Sequence, residues 1–462
     1  MDALLKIVQD INAFLSDYML IVLLIGVGLY FSIRTKFVQV RCFGEGMRKV
    51  FGNIKLNGEK QKSGLSSFQA LTTAIAAQVG TGNIVGASGA ILIGGPGAIF
   101  WMWIIAFFGM ATIYGEAVLA QKTRKINEDG SVAGGPVYYI RTAFKGKFGK
   151  FLAGFFSVAI ILALGFMGCM VQSNSIAEAC NNAFHIPTWV IGLVISAIAA
   201  LIFIGGIQRI GSVTEKLVPV MAVLYILGGL VVLFARIQYI PETIGMIFRY
   251  AFQPNALIGG SIGYALKTAI SQGAKRGLFS NEAGMGSTPH AHALANVEKA
   301  HDQGVVAMIG VFIDTFVVLT FTALVVISTL YAGGGVLSTY PVAEGISKTN
   351  MAQMAFSGVF GTGLGNSFVA ICLLFFAFST IIGWNLFGRI NMHDLFGKKS
   401  DLIYSVIAIV FIFLGSLLSN DLVWELTDMF NNIMVIPNVL ALFALGGLVA
   451  AEAKAASKDK KL

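Results

Sequence analysis

The chain has 462 residues, 56% of them hydrophobic and only 12% charged, where a soluble domain carries roughly 25% charged residues. Lipid is the solvent this composition suits, and a second folded domain in water is excluded because no polar stretch is long enough to form one. The net charge of +9 does not point to nucleic acid, because Lys and Arg sit in the gaps between apolar runs, as the positive-inside bias requires.

Eleven apolar spans are predicted, near residues 18–34, 66–93, 97–121, 151–180, 187–207, 216–235, 257–286, 304–331, 365–388, 402–419 and 429–451. The first is not a signal peptide. Asp2 and Asp10 outweigh the single Lys6, the apolar run 18–33 is too long for an h-region, and no A-x-A site follows. It reads as a retained transmembrane helix. After it come Arg34, Lys36, Arg41, Arg48, Lys49, Lys55, Lys60 and Lys62. The segment after the third span holds Lys122, Arg124, Lys125, Arg141, Lys145, Lys147 and Lys150, and the tail holds Lys454, Lys458, Lys460 and Lys461. An odd number of spans puts all three on one side, which is expected to be cytoplasmic, with the N-terminus outside and the C-terminus inside.

The second span reads AAQVGTGNIVG over 76–86, and the seventh reads SQGAKRG over 271–277 and SNEAGMG over 280–286. Each Gly costs a helix about 1 kcal/mol relative to Ala, so both spans are expected to unwind at membrane depth, where freed backbone must line a cavity or be buried. With the first span set aside, these two open the first and second groups of five, and the odd number per group inverts one group relative to the other. Paired interruptions in inverted repeats point to a midplane transport site. The competing reading is close helix packing through small residues, which accounts for most of the 54 glycines but is the weaker reading for 80–83. A broken helix offers N–H groups to a carboxylate and carbonyls to an ammonium or Na⁺. One break can therefore hold both ends of an amino acid zwitterion.

The fourth span carries Phe166, Met167, Met170, Gln172 and Asn174, whose two amides are costly in lipid unless bonded or facing water. Asp314 lies inside an apolar run of the eighth span and Glu116 near the inner end of the third. With Arg276 or Lys275 as partners they are candidates for an intramembrane ion pair or gate, the competing reading being a proton-relay site. His290, His292 and His301 are too loosely spaced to argue for a metal, and Cys42, Cys169, Cys180 and Cys372 read as packed thiols. The stretch 341–356 reads as an amphipathic surface helix acting as a lid, or as an ordinary loop. Ser379 and Thr380 are adjacent hydroxyls in the apolar run of the ninth span; they either bond back to their own helix or serve a hard cation. A membrane enzyme would need a motif such as HExxH or GxSxG, and neither is present. A channel would need a continuous polar lining rather than two broken helices.

Residues 94–109 read GGPGAIFWMWIIAFFG. This resembles the signature of the alanine or glycine:cation symporter family, the sodium:alanine symporters. QVGTGN at 78–83, RGLFSNEAGMGS at 276–287 and FAFSTIIGW at 376–384 also resemble family segments. The resemblance implies an all-α integral membrane protein of the amino acid–polyamine–cation superfamily. Its fold would be the LeuT-type five-plus-five inverted repeat over spans 2–11, with spans 2 and 7 discontinuous. A single transport domain, 1–462, would hold the extra helix 18–34, the repeats 66–235 and 257–451, and the tail 452–462. It implies sodium or proton coupling, with sodium taken as the coupling ion, no other cofactor, alanine or glycine as substrate, a plasma-membrane location and function as a monomer. The N–H groups of Thr81 and Gly82 would hold the substrate carboxylate and carbonyls near Gln78 and Ser271 its ammonium. Gly80, Gln272 and Gly273 would complete the broken segments, and Phe166 and Met170, four apart on one face, would wall the pocket or else pack simply as core. Carried over in the same way, a sodium site takes carbonyls of Ala76, Val79 and Phe376 with the hydroxyls of Ser379 and Thr380. Gln78 departs from the LeuT-type pattern, which has Ala there, and puts a first sodium site at Asn83 in doubt.

Overall fold

The computed structural model describes residues 2–52, 65–126, 128, 132–253, 261–338, 345–418 and 420–459. Residues 257–260 of the seventh predicted span, 419 of the tenth and 341–344 of the expected surface helix lie outside these, as do Lys55, Lys60, Lys62, Lys460 and Lys461. The chain is predominantly helical. A long first helix, α1 (Leu4–Arg34), leads into the short α2 (Phe43–Phe51). The pair α3 (Ser67–Gln78) and α4 (Gly82–Gly94) follows, bent by 44° at its junction. Next come α5 (Ala98–Thr123), an antiparallel ladder of β1 (Lys125–Ile126) with β2 (Val132–Ala133) and α6 (Pro136–Ala143). Then α7 (Gly146–Phe184), α8 (Thr188–Phe203) and α9 (Gly206–Ala235) pack in turn, followed by α10 (Ile240–Phe252). The second half holds α11 (Ile262–Asn281), α12 (Pro289–Leu294), α13 (Ala300–Leu330), α14 (Met351–Phe360), α15 (Thr362–Phe396), α16 (Ser400–Gly415) and α17 (Asp421–Ser457).

Seven of these helices are long and apolar enough to cross a membrane, and eight if α3 and α4 count as one span. α8 and α16 are apolar but only 16 residues each, short of the roughly 20 a spanning helix needs. α11 carries Lys267, Lys275 and Arg276. The first helix starts well before the predicted 18–34 because its polar residues find partners along α17 and α11. Asn12 donates to the Glu425 carboxylate at 2.6 Å, Asn432 donates to Ser16 at 2.8 Å, and Lys267 pairs with Asp17 at 2.8 Å. The expected surface helix is displaced to α14, which buries Met351, Ala355 and Phe356.

α3 opens with a reciprocal capping box between Ser66 and Gln69, which satisfies two otherwise orphaned N–H groups. It stops where Val79 leaves helical geometry, at φ −81° and ψ 89°. A Cβ on Gly80 would lie 2.2 Å from the Thr380 hydroxyl, and one on Gly82 would lie 3.0 Å from the Ser280 Cα. These glycines let the break touch α15 on one side and α11 on the other.

α11, in contrast, is unbroken through 271–277, where unwinding was expected. A Cβ on Gly273 would lie 2.5 Å from the Trp101 Cβ, so this glycine serves close packing against α5. The interruption comes later: Glu282 adopts φ 59° and Gly284 and Gly286 adopt φ 89° and 82°, and the chain turns before α12. α7 contains a π-helical stretch, Ile161–Gly168. The wider turn resets the facing of residues on either side of it.

Candidate functional site

The break between α3 and α4 is the centre of the site. Gly80 N–H donates to Asn83 Oδ1 at 3.0 Å, closing the loop on itself. Thr81 donates to Gln172 Oε1 through its N–H at 3.1 Å and its hydroxyl at 3.0 Å. Gln172 is fully buried, and its Nε2 has no hydrogen-bond partner among the described residues. The oxygen of a neutral amide thus stands where the family resemblance places a substrate carboxylate. Gln78 Nε2 donates to the carbonyl of Asn281 at 2.7 Å and so ties the first break to the end of α11.

On the α15 side, four oxygens converge. Thr380 Oγ1 lies 2.9 Å from the Ala76 carbonyl and 3.1 Å from that of Phe376. Ser379 Oγ lies 3.3 Å and 2.8 Å from the same two carbonyls. Both hydroxyls therefore bond back to their own helix and across to α3 at once. All are buried. Such a set of neutral oxygens suits a hard monovalent cation.

On the α11 side lies Asp314, fully buried on α13. Its carboxylate accepts from Asn83 Nδ2 at 2.7 Å, from Ser280 Oγ at 2.9 and 3.0 Å, and from the Thr315 hydroxyl at 2.8 Å. Every one of these donors is neutral. A carboxylate held so at membrane depth carries a large desolvation cost, which makes Asp314 a candidate functional residue. It joins the start of α4, through Asn83, to the last turn of α11, through Ser280.

The other expected residues are distributed differently. Phe166 stacks on Phe411 of α16 with centroids 4.8 Å apart, and Met170 packs on Gly415, whose Cβ would lie 2.6 Å from the Met170 Cα. Both face α16, while Gln172 on the same helix faces Thr81. Met170 and Gln172, two apart in the regular helical segment after the π turn, point to opposite sides of it. Ser271 donates to Asp17 of α1 at 2.5 Å, Gly273 meets Trp101, and Gln272 lies near Gly94. α11 instead approaches the first break through Ser280 and Asn281. Glu116 is a cap on the second interruption: it accepts from the N–H groups of Gly284 at 3.1 Å and Gly286 at 3.0 Å and from Asn438 Nδ2 at 2.7 Å. Glu282 accepts from Trp384 Nε1 at 2.5 Å and from Ser287.

Arg276 pairs with neither Glu116 nor Asp314. Its partner is Asp428 of α17, held bidentately at 3.0 and 3.1 Å, with Lys275 at 2.8 Å from the same carboxylate. The guanidinium lies 4.6 Å over the Trp424 ring, and Lys348 lies 5.2 Å from that ring and 3.2 Å from Asp421. Burial, and after it the Arg276 charge, holds the Lys348 ammonium below the usual lysine range. Asp428 was missed from sequence. The available signal was Glu425 and Asp428 three apart, on one face of the last helix.

The sequence model described as the sodium:alanine symporter family matches residues 1–462. The sodium/alanine symporter AgcS of Methanococcus maripaludis is 40% identical over 457 residues, covering 99% of this chain and 98% of that one. The probable sodium/glutamine symporter GlnT of Bacillus subtilis is 38% identical over 457 residues, covering 98% and 91%. Among solved structures, the crystal structure of MhsT in complex with L-phenylalanine aligns with a TM-score of 0.57 at 16% identity, over 85% of this chain and 89% of that one.

Proposed function

The chain belongs to the sodium:alanine symporter family, and from that premise we propose that inward sodium flow drives its uptake of a small neutral amino acid, alanine or glycine. The family is one of multi-pass membrane transporters, so the chain is not an enzyme, and sodium-coupled amino acid symport is the family's activity. The observation that carries the finer reading is the convergence of the Ala76 and Phe376 carbonyls with the Ser379 and Thr380 hydroxyls at the edge of the first break. Sodium bound there, with the Val79 carbonyl as a further ligand, bridges α3 and α15 and holds the adjoining 79–81 segment in shape. Neutral oxygens alone bind it weakly enough to be released inside.

The substrate carboxylate takes over the Thr81 N–H that Gln172 now satisfies, with the Gly82 N–H beside it, and the unpartnered Gln172 Nε2 is free to donate to the same carboxylate. Carbonyls near Gln78 receive the ammonium. Alanine is favoured as substrate by the likeness to AgcS, a sodium/alanine symporter, and glutamine, by the likeness to the probable sodium/glutamine symporter GlnT, is the competing size class. The arrangement is that of a LeuT-type core: eleven spans in one domain, a first helix followed by inverted groups at 66–235 and 257–451, the N-terminus outside, the C-terminus inside, and a monomer sufficient for transport.

Uptake of labelled alanine, glycine and glutamine into proteoliposomes tests this. One charge moving through 100 mV supplies about 2.3 kcal/mol, so a sodium gradient with a membrane potential is expected to concentrate alanine or glycine more than about tenfold. Uptake equally concentrative with choline in place of sodium overturns sodium coupling. Glutamine outcompeting both small substrates overturns the size assignment.

A further inference from the structure

Of the histidines flanking α12 and α13, two are accounted for locally. His290 lies between the Phe156 and Phe387 rings, and His292 bonds Gln303 at 2.7 Å. His301 is placed differently. It opens α13 beside Cys42 and Glu45 from the segment between the first two predicted spans, and the candidate ligand atoms of the three lie within 4.8 Å of one another. Glu45 Oε2 is 3.2 Å from His301 Nε2, and the Tyr114 hydroxyl is 2.8 Å from Nδ1. Cys42 is 1% and His301 3% exposed.

Close packing assembles the cluster. A Cβ on Gly46 would lie 2.7 Å from the Ile309 side chain and 2.8 Å from the Val305 carbonyl, and one on Gly304 would lie 2.7 Å from the Tyr114 ring. α2 and α5 therefore press on the first turns of α13 from two sides. Cys42, just before α2, is carried to His301 by the same contact.

We propose that Cys42, Glu45 and His301 bind a divalent transition-metal ion of the zinc class. Thiolate, imidazole and carboxylate are the ligand types zinc takes, and three protein ligands leave a fourth position open. With Nε2 on the metal, Nδ1–H donates to the Tyr114 hydroxyl, the outer partner that fixes a ligating imidazole's tautomer and orientation. Binding displaces the Cys42 thiol proton to solvent and forms a sulfur–metal bond with no change of oxidation state. A thiolate site selects against sodium, which prefers oxygen, so this ion is distinct from the coupling ion. Its effect is to fasten the α2 segment to the start of α13.

The full-length protein, purified in detergent and stripped with a chelator, is titrated with Zn²⁺ alone against a chromogenic zinc indicator. Co²⁺ in place of Zn²⁺ reports a thiolate ligand through its charge-transfer absorption. One ion per chain is expected, with that absorption present. Cys42→Ser and His301→Gln each lower affinity by more than about tenfold and Tyr114→Phe by roughly tenfold or more, the scale of outer-partner losses. Cys42→Asp keeps a ligating oxygen, so it retains Zn²⁺ binding while losing the absorption, whether or not the serine variant folds. Absence of Zn²⁺ binding by reduced wild-type protein overturns the proposal and leaves a Glu45–His301 ion pair with a neighbouring thiol. Equal binding by wild type, Cys42→Ser and His301→Gln places the ion elsewhere and overturns it too.

Discussion

Thr380 is asked to do two things at once, and its geometry shows why one substitution separates them. Its hydroxyl bridges the Ala76 and Phe376 carbonyls, and its Oγ1 fills the space a side chain on Gly80 would need. Hydrogen bonds and ligand contacts to a charged partner contribute about 1.5–3 kcal/mol. Thr380→Ala is therefore expected to raise the sodium concentration for half-maximal uptake about tenfold or more, with expression retained, and Ser379→Ala to add to it. Unaltered sodium dependence in the double variant moves the ion to the Asn83, Ser280 and Asp314 cluster, where the carboxylate would supply the missing ligand. Met170 belongs to a different account. Because it packs on Gly415, Met170→Ala is expected to lower stability by about 2–5 kcal/mol, read as a lower melting temperature, with no entry for leucine or methionine. Transport of those larger residues by the variant would return Met170 to the pocket wall.

At the scale of the element, the two Gly-rich segments look alike in sequence and behave differently. Gly80 sits where the helix has already ended, facing a hydroxyl on α15, whereas Gly273 sits inside an intact helix, facing Trp101. Gly80→Ala should abolish sodium-driven uptake, since its Cβ would displace the Thr380 hydroxyl. Gly273→Ala should instead destabilise the α5–α11 contact by about 1–3 kcal/mol while leaving the sodium concentration for half-maximal uptake unchanged. A melting curve and a sodium titration on each variant distinguish these. A sodium shift in Gly273→Ala without loss of stability would mean that this segment contributes to the site after all.

Across the whole molecule, the charged network of Lys275, Arg276, Asp428, Trp424, Lys348 and Asp421 ties α11 to α17 and to the turn before α14. Asp428 is the shared anion for two cations, so its removal leaves both without it. Breaking a buried pair in this way costs about 3–5 kcal/mol, and Asp428→Ala is expected to lower the melting temperature in detergent accordingly. Replacing Arg276 and Asp428 together by residues of similar volume, Arg276→Met with Asp428→Leu, should cost less than the single change. A single variant as stable as wild type would show that the network is solvated and contributes little. The first helix is fastened by the same logic: Asn12, Ser16 and Asp17 bond α17 and α11, so it is part of the bundle and not an appended anchor.

Sequence alone was enough for the membrane solvent, for most of the helix positions and for a Gly-rich weak point at 80–83, while the family resemblance pointed to the Ala76 and Phe376 carbonyls beside Ser379 and Thr380. The readings from sequence alone rest on local chemistry: apolar runs that suit lipid, their lengths, and a Gly cluster that weakens a helix. Tertiary structure alone decided what Met170 and Gln172 meet, Gly415 of α16 and Thr81 of the first break, because residues two apart on a helix point to opposite sides and only the packing says which side holds the site. It decided that Gly273 packs while Gly80 interrupts, because only the neighbour across the gap distinguishes a small residue used for closeness from one used for bending. It also chose the partners of Arg276, Asp314 and His301, which are Asp428, Asn83 and Glu45. Charges and ligands so far apart along the chain leave no periodic trace, and only the packing of the helices brings them within reach.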